Sequence, residues 1–325
     1  MRVFVAGAGG AIGRPLLSRL ATAGHEVTGM TRRDERAAAI RAAGAECAVC
    51  DVFDPEALNA AVAAARPEVV VHELTSLPQE LDPRRRGIYD ANNRIRTEGT
   101  RNLVAAAQGA GARRMVAQSI AFIYAPSGGR VKPGASTAAR LGVRLATEDD
   151  PVISGIEGEF AGAVEATLDL ERQVTGADGL EGLVLRYGFF YGPGTSYAAD
   201  AHQASEVRRR RLPIVGAGDG VFAFIHVEDA AAATVAASEG GAPGIYNVCD
   251  DEPAPMRDWV PAYAEALGAK PPRRVPRWLA RLVAGEAAVA FATTLRGASN
   301  EKAKRELGWQ PAYRSWRQGF EQALG

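Results

Sequence analysis

The chain has 325 residues, and its 38 lysines and arginines are balanced by 38 aspartates and glutamates, so it has no net charge. This balance lacks the basic excess that binding to nucleic acid or to an anionic membrane requires. Three cysteines are too few for a disulfide framework, and Cys47 and Cys50 have no second pair with which to hold a metal. We therefore expect a cytoplasmic protein without a metal, acting on a small molecule.

The first predicted elements are a short strand, a glycine-rich turn and a helix. Val3–Ala6 is a β-branched and aromatic run, and Leu16, Leu17 and Leu20 follow at helical spacing. This order aims backbone N–H groups and the positive end of a helix at one point, where a pyrophosphate can bind. The sequence therefore predicts a dinucleotide site at the turn. Its residues are Gly7, Gly9, Gly10, Ala11, Ile12 and Gly13.

Apolar, strand-like runs then alternate with alanine-rich helical segments such as Thr97–Gln108. The predicted strands are Val27–Met30, Ala48–Cys50, Val69–His72, Arg114–Ala117 and Gly182–Leu185. Such alternation predicts an α/β fold, a doubly wound parallel sheet of the Rossmann type. The pattern loosens past Pro193, so residues 1–190 are assigned mainly to the dinucleotide domain. Residues 191–325 form mainly a smaller C-terminal substrate-binding lobe, with about 220–250 returning to the sheet.

The residues after the second strand indicate which nicotinamide dinucleotide is bound. Sites that prefer NAD place an acidic residue about 20 positions after the glycines, against the ribose 2′-hydroxyl. This chain has Thr31, Arg32 and Arg33 there, and guanidinium groups suit a 2′-phosphate, although two arginines on a turn can also be merely solvated. The expected cofactor is therefore NADP(H). The remaining predicted cofactor residues are Asp51, Val52, Leu74, Thr75, Phe189 and Phe190.

An ordered set of motifs resembles the extended short-chain dehydrogenase/reductases of the NAD-dependent epimerase/dehydratase group. The set comprises the glycine turn, Gly99–Leu103, Ala117–Tyr124, Leu185–Gly194, Phe224–Ala230, Tyr246–Val248 and Leu307–Trp309. The resemblance covers almost the whole chain. It implies a Rossmann fold and a nicotinamide cofactor, and it makes a homodimer an expectation.

The catalytic positions of that family are changed in this chain. Members carry a Ser or Thr, a Tyr-x-x-x-Lys helix and an Asn, and their Tyr donates a proton to a carbonyl oxygen with help from the Lys. Counting from Tyr124, from Glu171 and from the Gly99-Thr100 pair, the corresponding residues here are Ile120, Ala163, Thr167 and Arg96. Because the family's acid is absent, we expect Ser119, Gln118 and Thr167 to orient the substrate rather than to donate protons.

Three functions remain open at this point. The first is an NADPH-dependent ketoreductase for a polycyclic aromatic ketone or quinone that supports its own oxyanion, similar to the simocyclinone-type angucyclinone ketoreductases of polyketide antibiotic biosynthesis. The second is a non-catalytic NADP-binding sensor or scaffold, and the third is an isomerase or epimerase that uses other acids and bases. His72 and His226 are interpreted as structural. The expected substrate contacts are Ile120, Phe160, Tyr191, Tyr197, His202 and Phe222.

Overall fold

A computed structural model describes residues 1–78, 85–126 and 144–324. The strands are β1 (Arg2–Ala6), β2 (Glu26–Thr31), β3 (Glu46–Val49), β4 (Val69–His72), β5 (Arg114–Ile120), β6 (Glu181–Tyr187), β7 (Phe189–Tyr191), β8 (Ile214–Val215), β9 (Val221–Phe222), β10 (Phe224–His226), β11 (Gly244–Val248), β12 (Ala254–Pro255) and β13 (Arg274–Val275). Seven of these form one parallel sheet in the order β11-β6-β5-β4-β1-β2-β3. The predicted doubly wound sheet is confirmed.

Helices follow most of the strands. They are α1 (Gly13–Thr22), α2 (Ala37–Ala42), α3 (Pro55–Ala65), α4 (Asp90–Arg94), α5 (Thr100–Gly109), α6 (Glu159–Thr175), α7 (His202–Arg208), α8 (Val227–Glu239), α9 (Met256–Ala266), α10 (Arg277–Ala284), α11 (Glu286–Thr294), α12 (Glu301–Glu306) and α13 (Trp316–Leu324). A π-helical segment, Ile95–Gly99, joins α4 to α5, so the predicted helix Thr97–Gln108 begins inside this segment. In the described parts of the chain, no helix is both long and apolar enough to span a membrane.

The sheet is buried on both faces, which is why its strands are apolar without alternation. In β4, Val69 and Val71 pack with α1 and α8 on one face. Val70 points to the opposite face, where it packs with α3, α5 and α6. Parallel strands end at the same edge, so the residues that follow β1, β2, β3 and β4 meet there.

The C-terminal lobe has its own core, which is mostly aromatic. Trp259, Tyr263, Trp316 and Phe320 are buried, and they come from α9 and α13. The lobe's strands are only two or three residues long and pair in twos, so aromatic packing rather than a large sheet holds this part together. Between β10 and β12 of this lobe, the five-residue strand β11 returns to pair with β6 at the edge of the main sheet.

Candidate active site

The glycine turn after β1 is packed too closely for a side chain at Gly7 or Gly13. A Cβ on Gly7, whose φ is +98°, would lie 2.6 Å from the carbonyl of Glu73. A Cβ on Gly13 would lie 2.4 Å from the Gly7 carbonyl oxygen. The turn closes with a 2.9 Å hydrogen bond from the Gly10 N–H to the Gly7 oxygen, and α1 begins at Gly13. Close approach of backbone to a ligand is what this geometry permits.

A cleft opens above this turn at the carboxyl edge of the sheet. The residues around it that the sequence predicted are Gly7, Gly9, Gly10, Arg32, Arg33, Asp51, Val52, Leu74 and Thr75. Those that it did not predict are Met30, Thr31, Arg36, Phe53, Glu73 and Ile95. Ala11 and Ile12 lead from the turn into α1, whereas Phe189 and Phe190 lie in β7, away from this wall of the cleft. Contact between any of these residues and a cofactor stays a prediction.

Arg36 adds a third positive charge to the cleft, beside those of Arg32 and Arg33. Its Nη1 donates to the Gly9 carbonyl oxygen at 3.2 Å, so the guanidinium lies directly beside the glycine turn. Partial burial lowers the pKa of Arg36, and the neighbouring charges of Arg33 and Arg14 lower it further. Arg36 follows Arg33 by three residues, a spacing that could have indicated it. The result is a concentration of positive charge that suits an anionic ligand.

Ser119, predicted to orient the substrate, belongs to a buried ion-pair network. Its hydroxyl donates to Glu171 Oε1 at 2.6 Å, and the hydroxyl is completely covered. Arg186 donates to both oxygens of the same carboxylate, from Nε at 2.7 Å and from Nη2 at 2.6 Å. Arg186 also donates to the Tyr124 hydroxyl at 2.9 Å, which in turn donates to Asn247 Oδ1 at 2.7 Å. The Ser119 hydroxyl is therefore already used in a hydrogen bond within the protein.

The hydroxyl of Thr167, on the neighbouring helix α6, is also hydrogen-bonded within the protein. Its hydroxyl donates to the Ala163 carbonyl oxygen at 2.6 Å and accepts a hydrogen bond from Arg96 Nη1. Burial lowers the pKa of Arg96 to about 10, with the charge of Glu171 acting in the opposite direction. Gln118 is half-buried on β5. Orienting roles for these side chains stay predictions, and the structure turns the hydroxyls of Ser119 and Thr167 towards protein partners.

An aromatic cluster occupies the substrate side, beyond the end of β5. Phe122 stacks on Phe189 with ring centroids 4.4 Å apart and an interplanar angle of 11°. Phe291 of α11 meets both rings edge-on and also reaches Phe160 and Phe222. A cavity of only about 10 Å³ lies beside this cluster. A ligand there would have to move some of these rings apart.

The other expected substrate contacts lie in different surroundings. Tyr191 and Tyr197 are buried in the aromatic core of the C-terminal lobe, against Phe320 and Trp259 respectively. A run of aromatic residues does not distinguish core from cavity wall, because both environments favour large apolar rings. His202, half-buried, begins α7, and Ile120 packs with Phe160 beside the cluster.

The two buried histidines make structural contacts. His72 Nε2 lies 3.0 Å from the Thr100 hydroxyl, and His226 Nδ1 accepts from the Glu228 N–H at the start of α8. Burial lowers the pKa of each to about 4, so both are neutral at pH 7. The described residues contain no group of His, Cys, Asp or Glu that could hold a metal ion.

Comparisons with known proteins agree with this geometry. The family described as NAD dependent epimerase/dehydratase matches residues 3–249. A 3-diazoavenalumate denitrifying reductase of a Streptomyces species is 46% identical over 98% of this chain and 99% of its own. A 4-hydroxy-2-methyl-3-oxo-4-farnesyl-3,4-dihydroquinoline-1-oxide ketoreductase of Stigmatella aurantiaca is 27% identical over 95% of this chain and 92% of its own. UDP-glucose 4-epimerase of Thermotoga maritima, solved with UDP-glucose, has a TM-score of 0.76 at 19% identity, covering 100% of this chain and 97% of its own. The two reductases support a reductase activity here, and the epimerase shows the shared fold.

Proposed function

The chain belongs to the NAD dependent epimerase/dehydratase family, and on that premise we propose that it is an NADPH-dependent reductase of an electron-poor aromatic substrate. The first substrate class is an aromatic diazo compound, which loses its nitrogen on reduction. The observation that carries the proposal is a contrast within one site. The cleft beside the glycine turn is open, whereas the Thr167 hydroxyl is bonded to the Ala163 carbonyl, and these two residues occupy the positions that the resemblance assigns to the family's lysine and tyrosine.

The cleft residues fit a nicotinamide dinucleotide. The glycine turn has no room for a Cβ at Gly7 or Gly13, and N–H groups at the start of α1 are available to a pyrophosphate. Arg32, Arg33 and Arg36 surround the same cleft, and this group supports a 2′-phosphate and hence NADP(H). When it is bound and reduced, such a cofactor supplies a hydride. The part played by the chain is to hold it and to align the acceptor.

The missing acid favours an acceptor that forms no oxyanion. A ketone accepts hydride at carbon, and its oxygen then needs a proton or a hydrogen-bond donor. An aryl diazonium ion instead accepts hydride and releases N2, as a C–N bond breaks and a C–H bond forms. This reaction balances without an acid from the protein. It therefore suits a site in which Ala163 offers no donor and the Thr167 hydroxyl is already bonded to backbone. The name of the Streptomyces relative supports the same class.

An aromatic ketone or quinone is the second candidate substrate. It is favoured by the ketoreductase relative and by the stacked rings of Phe122 and Phe189, which suit a flat apolar ligand. A hydroxyl beside the ketone, or conjugation through a quinone, would carry the developing charge in place of the absent tyrosine. The test of this candidate compares the rate at which such a ketone is reduced with the rates for its methylated and deoxy analogues. Only the ketone with a free hydroxyl should be reduced, and the deoxy analogue controls for added bulk.

The deciding experiment uses deuterium at C4 of NADPH. The protein is incubated with each C4-deuterated epimer and an aryl diazonium salt, and the arene is analysed by mass spectrometry. We expect one deuterium in the arene from one epimer only, with loss of the 340 nm absorbance. Because diazonium ions also react without enzyme, heat-denatured protein provides the background rate. Incorporation equal from both epimers and equal to the background would remove diazo compounds from the proposal.

The same assay separates the alternatives that lack net reduction. A sensor or scaffold would bind NADPH tightly and leave the absorbance unchanged with every acceptor. An isomerase or epimerase would convert a substrate with only catalytic cofactor and no net oxidation of NADPH. Turnover of either aromatic class, with stoichiometric loss of NADPH, would support the reductase.

A further inference from the structure

Glu73 is a carboxylic acid in the floor of the dinucleotide cleft. It follows β4 directly, and its backbone supports the glycine turn, since a Cβ on Gly7 would lie 2.6 Å from its carbonyl. Its own N–H donates to the Ala6 carbonyl oxygen at 2.8 Å. It lines the same cleft as Gly7, Gly9 and Gly10. An acidic side chain is therefore held where the bound ligand is expected to carry negative charge.

One oxygen of this carboxyl group is unpaired. Glu73 is 5% exposed, and the Tyr187 hydroxyl of β6 lies 3.4 Å from its Oε1. The Tyr187 hydroxyl also lies 2.6 Å from the Thr234 hydroxyl of α8, so it is held in place from the opposite side. Oε2 is buried and has no hydrogen-bond partner among the described residues. An unsatisfied buried oxygen in a native protein calls for a partner.

The surroundings of Glu73 favour its neutral form. Burial raises its pKa to about 8, and the hydrogen bond from Tyr187 opposes this shift only in part. Tyr187 is the titratable group that faces the carboxyl, and Arg36, the cation nearest the glycine turn, is bonded to the Gly9 oxygen instead. At neutral pH the group therefore has an O–H to donate. A donor, rather than a second negative charge, is compatible with a phosphate nearby.

We propose that Glu73 is part of the cofactor site and that its neutral carboxyl donates a hydrogen bond from Oε2 to a phosphate or ribose oxygen of the bound dinucleotide. Ionisation of Glu73 removes this donor and places a negative charge beneath the pyrophosphate. Cofactor affinity should then fall as the pH rises. The inference rests on the dinucleotide cleft of the proposed function but on neither substrate class. Binding measurements test it even if no diazo compound or ketone is reduced.

The test is the dissociation constant of NADPH between pH 7 and pH 9.5, measured by calorimetry for the native chain and two variants. The native constant should rise by up to about tenfold per pH unit above pH 8. Glu73→Gln keeps a neutral donor of the same shape, so it should bind like the native chain at pH 7 and lose the pH dependence. Glu73→Met keeps the volume without the donor and should bind roughly ten- to a hundredfold more weakly.

Two controls keep the outcome specific. NADH replaces NADPH in one series, because it lacks the 2′-phosphate and so isolates the effect beneath the pyrophosphate. Tyr187→Phe removes the hydrogen bond that favours the ionised form, so its midpoint should move to higher pH. Thermal unfolding without cofactor checks that each variant folds. If Glu73→Met binds like Glu73→Gln, or if native affinity increases with pH, the carboxyl is not a donor to the cofactor and the proposal is overturned.

Discussion

The candidate active site has two regions that differ in how they are held together. One surrounds the glycine turn after β1 (the glycine-turn end), and the other surrounds helix α6 (the α6 end). At the glycine turn, backbone atoms and strand ends form an open cleft surrounded by arginines. At α6, buried side chains bond to one another, and a cavity of only about 10 Å³ lies beside the adjoining aromatic rings. The first region offers close backbone and positive charge to an anionic ligand, whereas the second directs the hydroxyls of Ser119 and Thr167 towards protein partners. The difference indicates that an open cleft at the strand ends and a closed side-chain network on α6 are separable features of this fold.

One carboxylate, that of Glu171, connects the buried side chains of the α6 end. Glu171 accepts from Ser119 and from two nitrogens of Arg186, and all three residues are almost completely buried. A buried carboxylate with three donors is a structural anchor, since removing it leaves a buried guanidinium uncompensated. This region is therefore expected to respond to mutation through stability, and the glycine-turn region through cofactor affinity.

The largest predicted effect is the loss of this anchor. Glu171→Ala should lower the free energy of unfolding by about 3–5 kcal/mol, because Arg186 then stays buried without a partner. Urea denaturation measures the change. Glu98→Ala removes a carboxylate from a solvent-exposed pair with Arg94 and should have far less effect. Equal stability of the native chain and Glu171→Ala would show that the two ends of the site do not differ in this way.

Acid sensitivity should come from two buried histidines, His226 at the start of α8 and His72 at the end of β4. The pKa of His226 is about 4 in the folded chain, against about 6.5 when unfolded, so between these values the unfolded state binds more protons. Stability from this group is therefore complete above pH 6.5 and is lost as the pH falls to 4, by up to about 3 kcal/mol. His226→Asn keeps an acceptor at the start of α8 and removes the titration. Its unfolding free energy should fall less between pH 6.5 and pH 4 than that of the native chain, and an unchanged slope would contradict this assignment.

His72 provides the matched case at the sheet edge. Burial and the nearby charge of Arg96 lower its pKa to about 4, so its contribution has the same sign and the same pH window. Its ring is within hydrogen-bond distance of the Thr100 hydroxyl, so His72→Gln is the variant that retains a polar partner for Thr100. A double variant with His226→Asn should lose most of the histidine-dependent slope, since the two sites lie in different elements.

Cofactor preference is the prediction that belongs to the glycine-turn end. Arg32→Ala and Arg33→Ala should together weaken NADPH binding by about 1.5–3 kcal/mol, which is roughly ten- to a hundredfold, and leave NADH binding unchanged. Arg36→Ala should weaken both cofactors, because Arg36 bonds to Gly9 as well as adding charge to the cleft. Calorimetry with both cofactors separates these outcomes. Equal affinity of the native chain for NADPH and NADH would contradict the assignment of the arginines.

The sequence predicts the strand, turn and helix of the glycine-turn end correctly because its signals are local. Gly7, Gly13 and Arg32 lie close to the strands that position them, so period and spacing suffice. Ser119 and Glu171 are 52 residues apart, and their hydrogen bond depends on how α6 packs against β5. No local pattern contains that information. Glu73 is intermediate in how far the sequence could predict it. An acidic residue directly after four buried strand residues is a local signal of an unusual environment.

The smallest predicted effect tests whether the α6 end holds a hidden acid. Thr167→Val keeps the shape of the side chain and removes its hydroxyl, which already donates to Ala163. If the hydroxyl only positions Arg96 and the helix, turnover should fall by about tenfold or less, whereas loss of a true proton donor costs about a hundred- to ten-thousandfold. Ser119→Ala should behave in the same way. Thr167→Ser restores the hydroxyl and should recover the native rate. A thousandfold loss in the folded Thr167→Val, rescued by Thr167→Ser, would identify Thr167 as part of a proton path. It would contradict the assignment of a purely structural role to the α6 end.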